Sequence, residues 1–507
     1  MSGFSASGRL VGALTACVVT GLVVATTGCS NPSTLATAPG STVRPAAPAS
    51  PVVPIVWAPC PGGSSLQCAA VSVPVDYRHP AAATLSLAVT RASATGVASR
   101  QGTLVFNPGG PGESGNQILP AVLDRLPPAV RQSFDIVSFD PRGVGASRPL
   151  DCGTSPAAAA SALPVPVPGS RALPGTPLYA AMARSCRQQA PDLVPLVDTV
   201  DTARDLDRIR QALGLSKLDY YGLSYGTVLG AVYADLFPHR VGHFVLDGAV
   251  DVGASLTTQA AQEAPAAERS LDHLLASCSA APACPLGHDP QMAYRSLLSA
   301  LTRNHLPAPG RGDTYPVTVG DLDTAALLTL SVPGFTPSFY AALIAARDGD
   351  GGPLRTLALE LETDIDGAPL VDALWAITCN DTAVHPGPIA AGDQARALAA
   401  KYPLIGAYAV NYTMGGCVSW PAGRRPVAGI HPEDVPPILV VGNTGDPNTP
   451  IIGARHLAAL LPASRLLTWR GWGHTWLLSG SADPCMQRLV TNYLFGTGPP
   501  PPHSVCG

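Results

Sequence analysis

Short apolar runs closed by glycine, proline or asparagine alternate along this chain with stretches of helical period. Residues 69–77 (AAVSVPVDY) and 84–92 (TLSLAVTRA) alternate or carry β-branched side chains, the pattern of antiparallel strands. The runs at 102–115 (GTLVFNPGGPGESG) and 134–147 (FDIVSFDPRGVGAS) share one design, a strand ending in glycines. Residues 199–214 predict a helix: Thr199 or Asp201 caps it, Ala203, Leu206, Ile209 and Leu213 form its stripe, and Gly214 ends it. A strand (218–224), a helix (225–237, closed by Pro238) and another strand (241–250) follow. Much later come a strand-like run at 437–450, a helix at 453–462 and a strand-like run at 464–476. Strands alternating with helices imply an α/β protein with a mostly parallel sheet wound on both faces. Its core falls in two parts, 56–250 and 437–498. Between them, 251–436 is rich in Ala and Leu, with helices expected at 260–277, 292–303, 337–347 and 390–401. That position, after one strand and before the next, makes it a helical cap inserted over the sheet.

Bulk properties narrow the function. With 507 residues and a net charge of -4, the chain has length for one large core plus an insertion, and no basic run that would neutralise nucleic-acid phosphates. Residues 1–29 read as a signal peptide: Arg9, then an uncharged apolar stretch, then small residues. The ending ATTGCS resembles a bacterial lipobox, with Thr26 where Leu is usual. A lipid on Cys29 would tether the mature protein to the outer face of a membrane. Residues 30–55 are Pro, Ala, Ser and Thr with Arg44 as the single charge, an extended tether; 499–507 read as a Pro-rich tail with a final Cys. Of 12 cysteines, Cys17 and Cys29 belong to the leader, and ten remain. In an exported protein these pair, and proximity suggests Cys60–Cys68, Cys152–Cys186, Cys278–Cys284, Cys379–Cys417 and Cys485–Cys506. No CxxC or Cys/His cluster points to a metal, and no cofactor is expected.

The chemistry is concentrated at Gly222-Leu223-Ser224-Tyr225-Gly226, a G-x-S-x-G between a strand and a helix. In a nucleophile elbow the serine sits strained at the apex of that turn, side chains two positions away would collide, and the next amide N–H faces the reacting oxygen. Gly230 lets the following helix pack close to the sheet. A serine hydroxyl needs a base, and the base needs an acid to orient it, in the chain order serine, acid, histidine. Asp446, just past one late strand, and His474, just past the next, stand in that order at the sheet edge where parallel strands end. Alone, Asp446 reads as an Asp-Pro turn and His474 as a surface histidine; their order and loop positions favour a triad. The oxyanion donors expected are the amides of Tyr225 and Gly110, the latter in NPGGPGESG.

With these motifs the chain resembles α/β-hydrolases of the proline iminopeptidase and tripeptidyl aminopeptidase branch, particularly exported actinobacterial members. The resemblance runs from about Trp57 to Cys506 on NPGGPGESG, FDIVSFDPRGVGAS, TARDLDRIRQALG, LDYYGLSYGTVLGAVYADLFPHRV, FVLDGAVD, AITCND, ILVVGNTGDPNTP and GWGHTW. Pro108 stands where the intracellular iminopeptidases carry a histidine. The resemblance implies an acyl-enzyme mechanism on Ser224, Asp446 and His474, and removal of short peptides from free N-termini. An aminopeptidase needs an anion for the substrate ammonium, and Glu113 and Asp381 are the candidates. The expected partner is a peptide substrate, or an ester if the chain is a carboxylesterase. An inactive, lipid-anchored binding protein is a third reading, which the presence of all three triad residue types disfavours.

Overall fold

A computed structural model describes residues 52–507, apart from 62–64, 97–99, 310–313, 422 and 428. The leader, Cys29 and nearly all of the tether lie outside the described residues. Among the described residues ten strands form one sheet: β1 (Ala58–Pro59), β2 (Gln67–Pro74), β3 (Thr84–Ala92), β4 (Gly102–Asn107), β5 (Phe134–Phe139), β6 (Leu218–Leu223), β7 (Val241–Asp247), β8 (Leu439–Gly445), β9 (Arg465–Trp472) and β10 (Ser504–Cys506). Their order is β1-β2-β3-β5-β4-β6-β7-β8-β9-β10. The pairs β1–β2, β2–β3 and β3–β5 are antiparallel, and every pair from β5–β4 to β9–β10 is parallel.

The central strands are apolar on both faces because both faces are covered. Val105, Val137, Tyr220, Phe244 and Val440 point into one core, while their neighbours Leu104, Ile136, Tyr221, Val245 and Leu439 point into the other. Helix Thr199–Ala212 buries Ala203, Leu206 and Ile209 of the expected stripe; the fourth member, Leu213, is the half-buried C-cap. Its cap is Asp198, not Thr199 or Asp201: the Asp198 carboxylate accepts the Asp201 N–H at 2.7 Å.

Between β7 and β8, neighbours in the sheet, the described residues form helices and two isolated antiparallel bridges, Leu306–Val317 and Thr363–Pro369. Four of them, Leu256–Ala280, Pro290–Arg303, Thr336–Arg347 and Pro388–Lys401, cover the expected stretches. Others, including Val319–Ser331, Gly352–Glu362 and Val371–Asn380, have no counterpart in the periodicity reading. Leu271, Leu275, Leu322, Phe339 and Leu343 give the insertion an apolar core of its own. The C-terminal tail is not free: Ser504–Cys506 pairs with β9, a strand too short to show a period. Disulfides join Cys60–Cys68, Cys152–Cys186, Cys278–Cys284, Cys379–Cys417 and Cys485–Cys506, the last holding that strand to helix Pro484–Leu494. Among the described residues no helix is long and apolar enough to cross a membrane.

Candidate active site

Ser224 stands between β6 and helix Tyr225–Leu236 with φ 53° and ψ -121°, a strained backbone for a side-chain-bearing residue. The flanking glycines have no room for a side chain. A Cβ on Gly222 would lie 2.4 Å from the Gly226 carbonyl oxygen, and one on Gly226 would lie 2.8 Å from Asn107 Oδ1. A Cβ on Gly230 would lie 2.6 Å from Leu246 Cδ2, so this glycine sets how closely the helix approaches the sheet.

Asp446 and His474 meet past the ends of β8 and β9. His474 Nδ1 donates to Asp446 Oδ1 at 3.0 Å and lies 3.1 Å from Oδ2; a carboxylate facing Nδ1 favours the tautomer whose Nε2 can accept a proton. Asp446 is fully engaged. It accepts the N–H groups of Asn448 (2.9 Å), Thr449 (2.8 Å) and Thr475 (3.1 Å), and the Thr449 hydroxyl at 3.0 Å. The same hydroxyl is 3.2 Å from His474 Nδ1. Burial works against protonation of His474, yet Asp446, with Asp247 and Glu113 beyond it, holds its pKa above the ordinary value.

Asp247, at the end of β7, ties the serine and histidine loops together. Its carbonyl accepts the Ser224 N–H at 2.9 Å. Its carboxylate accepts Trp476 N–H (2.9 Å), Leu477 N–H (3.0 Å) and the Tyr221 hydroxyl (3.1 Å). Burial pushes this carboxyl up to about 6. Among the described residues Ser224 Oγ has no hydrogen-bond partner, a common state in unliganded sites.

Ser224 opens on a cavity of about 330 Å³, lined also by Gly110, Tyr225 and Thr449. The glycine loop is pressed against the elbow: a Cβ on Gly109 would lie 3.2 Å from Tyr225 N and 3.1 Å from Ser224 Cβ. Asp140 pins that loop by accepting the Ser114 hydroxyl at 2.6 Å and Asn116 N–H at 3.1 Å. A smaller recess of about 60 Å³ shares Gly110, Pro111, Leu374 and Tyr412 with the cavity. Glu113 and Glu362 line the recess beside Tyr179 and Trp375, and Glu263 lines the cavity. Among the described residues, none of the three carboxylates accepts a hydrogen bond. Burial pushes Glu113 up to about 7 against the pull of His474. It pushes Glu362 up to about 8, aided by Asp321, and Glu263 well above the usual range, aided by Asp446.

Asp381 also lines the cavity, and each of its oxygens accepts one hydrogen bond. It accepts Thr199 N–H at 2.8 Å and the Thr199 hydroxyl at 2.6 Å, and that hydroxyl also meets the Tyr225 phenol. Through Thr199 it braces Tyr225, the residue after the serine, and burial pushes its carboxyl up to about 8. Sequence reasoning missed Thr449, Asp247, Glu263 and Glu362. A Thr three residues after Asp446 was a usable signal; the others become neighbours only in the folded chain. Asp483, Cys485 and Cys506 cluster with metal-like spacing, but both sulfurs are bonded to each other.

Residues 102–481 match the family model described as alpha/beta hydrolase fold. The chain is 34% identical over 481 residues to the serine protease Hip1 of Mycobacterium tuberculosis, covering 89% of this chain and 91% of the relative. It is 31% identical over 463 residues to the tripeptidyl aminopeptidase of Streptomyces lividans (87% and 84%). It is also 32% identical over 493 residues to carboxylesterase B of Mycobacterium tuberculosis (91% and 92%).

Proposed function

The chain belongs to the α/β-hydrolase family, and we propose that it is an exported serine aminopeptidase that releases short peptides from free N-termini. His474 Nε2 takes the proton of Ser224 as Oγ attacks the scissile carbonyl carbon. Asp446 holds the imidazole and offsets its charge. The amides of Tyr225 and Gly110 face the developing oxyanion. The imidazolium then gives its proton to the leaving amine as the C–N bond breaks, and the peptide acyl group stays on Ser224. Water, deprotonated by His474, hydrolyses the ester and frees Ser224. The insertion between β7 and β8 acts as the cap that limits access to this site.

The observation that carries the peptidase reading is the set of unpartnered carboxylates, Glu113, Glu263 and Glu362, at the cavity and its recess. A half-buried acid without a partner resists ionising, and a bound ammonium is the partner that would ionise and satisfy it. Of the two acids expected from sequence, Glu113 takes this role; Asp381 is committed to Thr199.

A second reading, a carboxylesterase, is favoured by the apolar wall of Val228, Val250, Val252 and Leu256 and by the relative of that name. Paired substrates separate the two. A free-amine tripeptide amide should be cleaved far faster than its N-acetyl form; equal rates on both, with faster ester cleavage, would overturn the aminopeptidase reading. In the same assay Ser224→Ala should lose turnover and fluorophosphonate labelling with its fold intact. The disulfides fit an oxidising compartment outside the cytoplasm, and an anchor at Cys29 would hold the enzyme on the membrane there. Mass measurement of the mature N-terminus tests the anchor.

A further inference from the structure

The helix Val319–Ser331 of the insertion ends against the loops that carry Asp446 and His474. All 13 of its residues are buried, and its N-terminus is fixed by a capping box at Thr318 and by the Asp321–Arg355 ion pair, 2.6 Å. The last carbonyls of a helix have no partner within it. Here the Ser331 carbonyl accepts the backbone N–H of His474 at 2.9 Å. The Ser331 hydroxyl donates to the Leu327 carbonyl at 2.6 Å, which leaves its lone pairs outward, and it accepts Asn448 Nδ2 at 3.0 Å. Asn448 in turn gives its backbone N–H to Asp446. One residue of the insertion therefore touches both the base loop and the acid loop.

We propose that Ser331 is a positioning residue for catalysis, through which the seat of the insertion sets the alignment of His474 with Asp446. Neighbouring contacts place the insertion on the same loops. Pro333 lies 3.3 Å from where a Cβ of Gly473 would stand. The His273 ring stacks on Trp472 at 3.8 Å and 6°. Ser270 Oγ donates to the Gly445 carbonyl at 3.4 Å. Gly445 and Gly473 are the residues immediately before the acid and the base. The insertion, beyond covering the cavity, completes the machinery, and displacing it takes the base out of register. Misplacements of about an ångström at a catalytic group cost up to about a hundredfold in rate.

The inference rests on the triad reading, and the experiment separates the two. Ser331→Ala removes the hydroxyl and keeps the carbonyl. It should lower kcat on a free-amine tripeptide amide about tenfold, slow fluorophosphonate labelling of Ser224 in proportion, and leave KM within about twofold. Asp446, Asp247 and Glu113 face His474, and Glu263 faces Asp446. A loosened Asp446 would let burial lower the His474 pKa, so the acid limb of kcat/KM should move to lower pH. Asn448→Ala should reproduce the loss, and the double variant should lose no more than the larger single. Unchanged kcat and pH profile in a folded Ser331→Ala protein, or losses that multiply in the double variant, would overturn the proposal. If Ser331→Ala does not fold, a fully active Asn448→Ala protein overturns it as well. Turnover by Ser224→Ala would instead overturn the triad reading itself.

Discussion

Replacing Glu362 with glutamine should stabilise the protein at neutral pH and weaken its hold on a free N-terminus. The carboxyl moves from 4.5 in the unfolded chain to about 8 when folded, with burial the main cause and Asp321 the second. A carboxyl raised by folding contributes stability that is complete below its unfolded pKa and is lost as pH rises through the folded one. At pH 7, about two and a half pH units above the unfolded pKa, the unfolded chain has ionised this carboxyl and the folded chain has mostly not. At about 1.4 kcal/mol per unit, that is an upper limit of about 3 kcal/mol. Water reaching the recess screens part of this, and about 1–2 kcal/mol is the expected difference. Glutamine keeps the shape and carries no charge, so the variant escapes the penalty. Urea unfolding followed by tryptophan fluorescence should show no advantage at pH 4.5 and a growing one to pH 7. The same variant should raise KM for a free-amine tripeptide about tenfold or more, the worth of a charge-assisted hydrogen bond, and leave kcat nearly unchanged. A stability difference independent of pH, or an unaltered KM, would refute the assignment of Glu362 as a half-buried acid waiting for a cation.

Gly226→Ala should fold poorly or lose activity, because its methyl would sit 2.8 Å from Asn107 Oδ1 and 2.9 Å from the Asn107 carbonyl; circular dichroism and labelling of Ser224 check this. Asp247→Asn keeps one acceptor for two N–H groups, so kcat should fall by about tenfold or more, and the loss of a charge facing His474 should move the acid limb of kcat/KM to lower pH. Cys485→Ser with Cys506→Ser opens a loop of 21 residues and should cost about 3 kcal/mol in denaturant unfolding while kcat is retained. KM for free-amine substrates should fall as pH rises through about 7 to 8, where Glu113 and Glu362 ionise, and rise again once the substrate amine loses its proton.

Much of the sheet was legible because each strand carries its own signal. The runs before Asn107, Ser224 and Asp446 are apolar and end in residues that turn, so strand, loop and chain order could be read locally. The elbow was legible for the same reason, since its serine and flanking glycines lie within five positions, although the Asn107 contact that requires Gly226 comes from another strand. Helix Val319–Ser331 was not, because burial on all sides removes the polar face that gives a helix its period. The strand Ser504–Cys506 was too short to alternate. Asp381 was legible as an acid near the site, but not its tie to Thr199, 182 positions earlier, which only the fold brings against it.

The sequence alone determined a parallel α/β sheet, a helical insertion, one strained serine, and an acid and a histidine in workable order, since each depends on contacts within a few residues. Only the tertiary structure decided which acids lack partners, how Asp247 joins the serine and histidine loops, and that Ser331 touches both the acid and the base loops. Those depend on distances between segments far apart in the chain. Such distances are set by how the two cores pack, which no local pattern encodes.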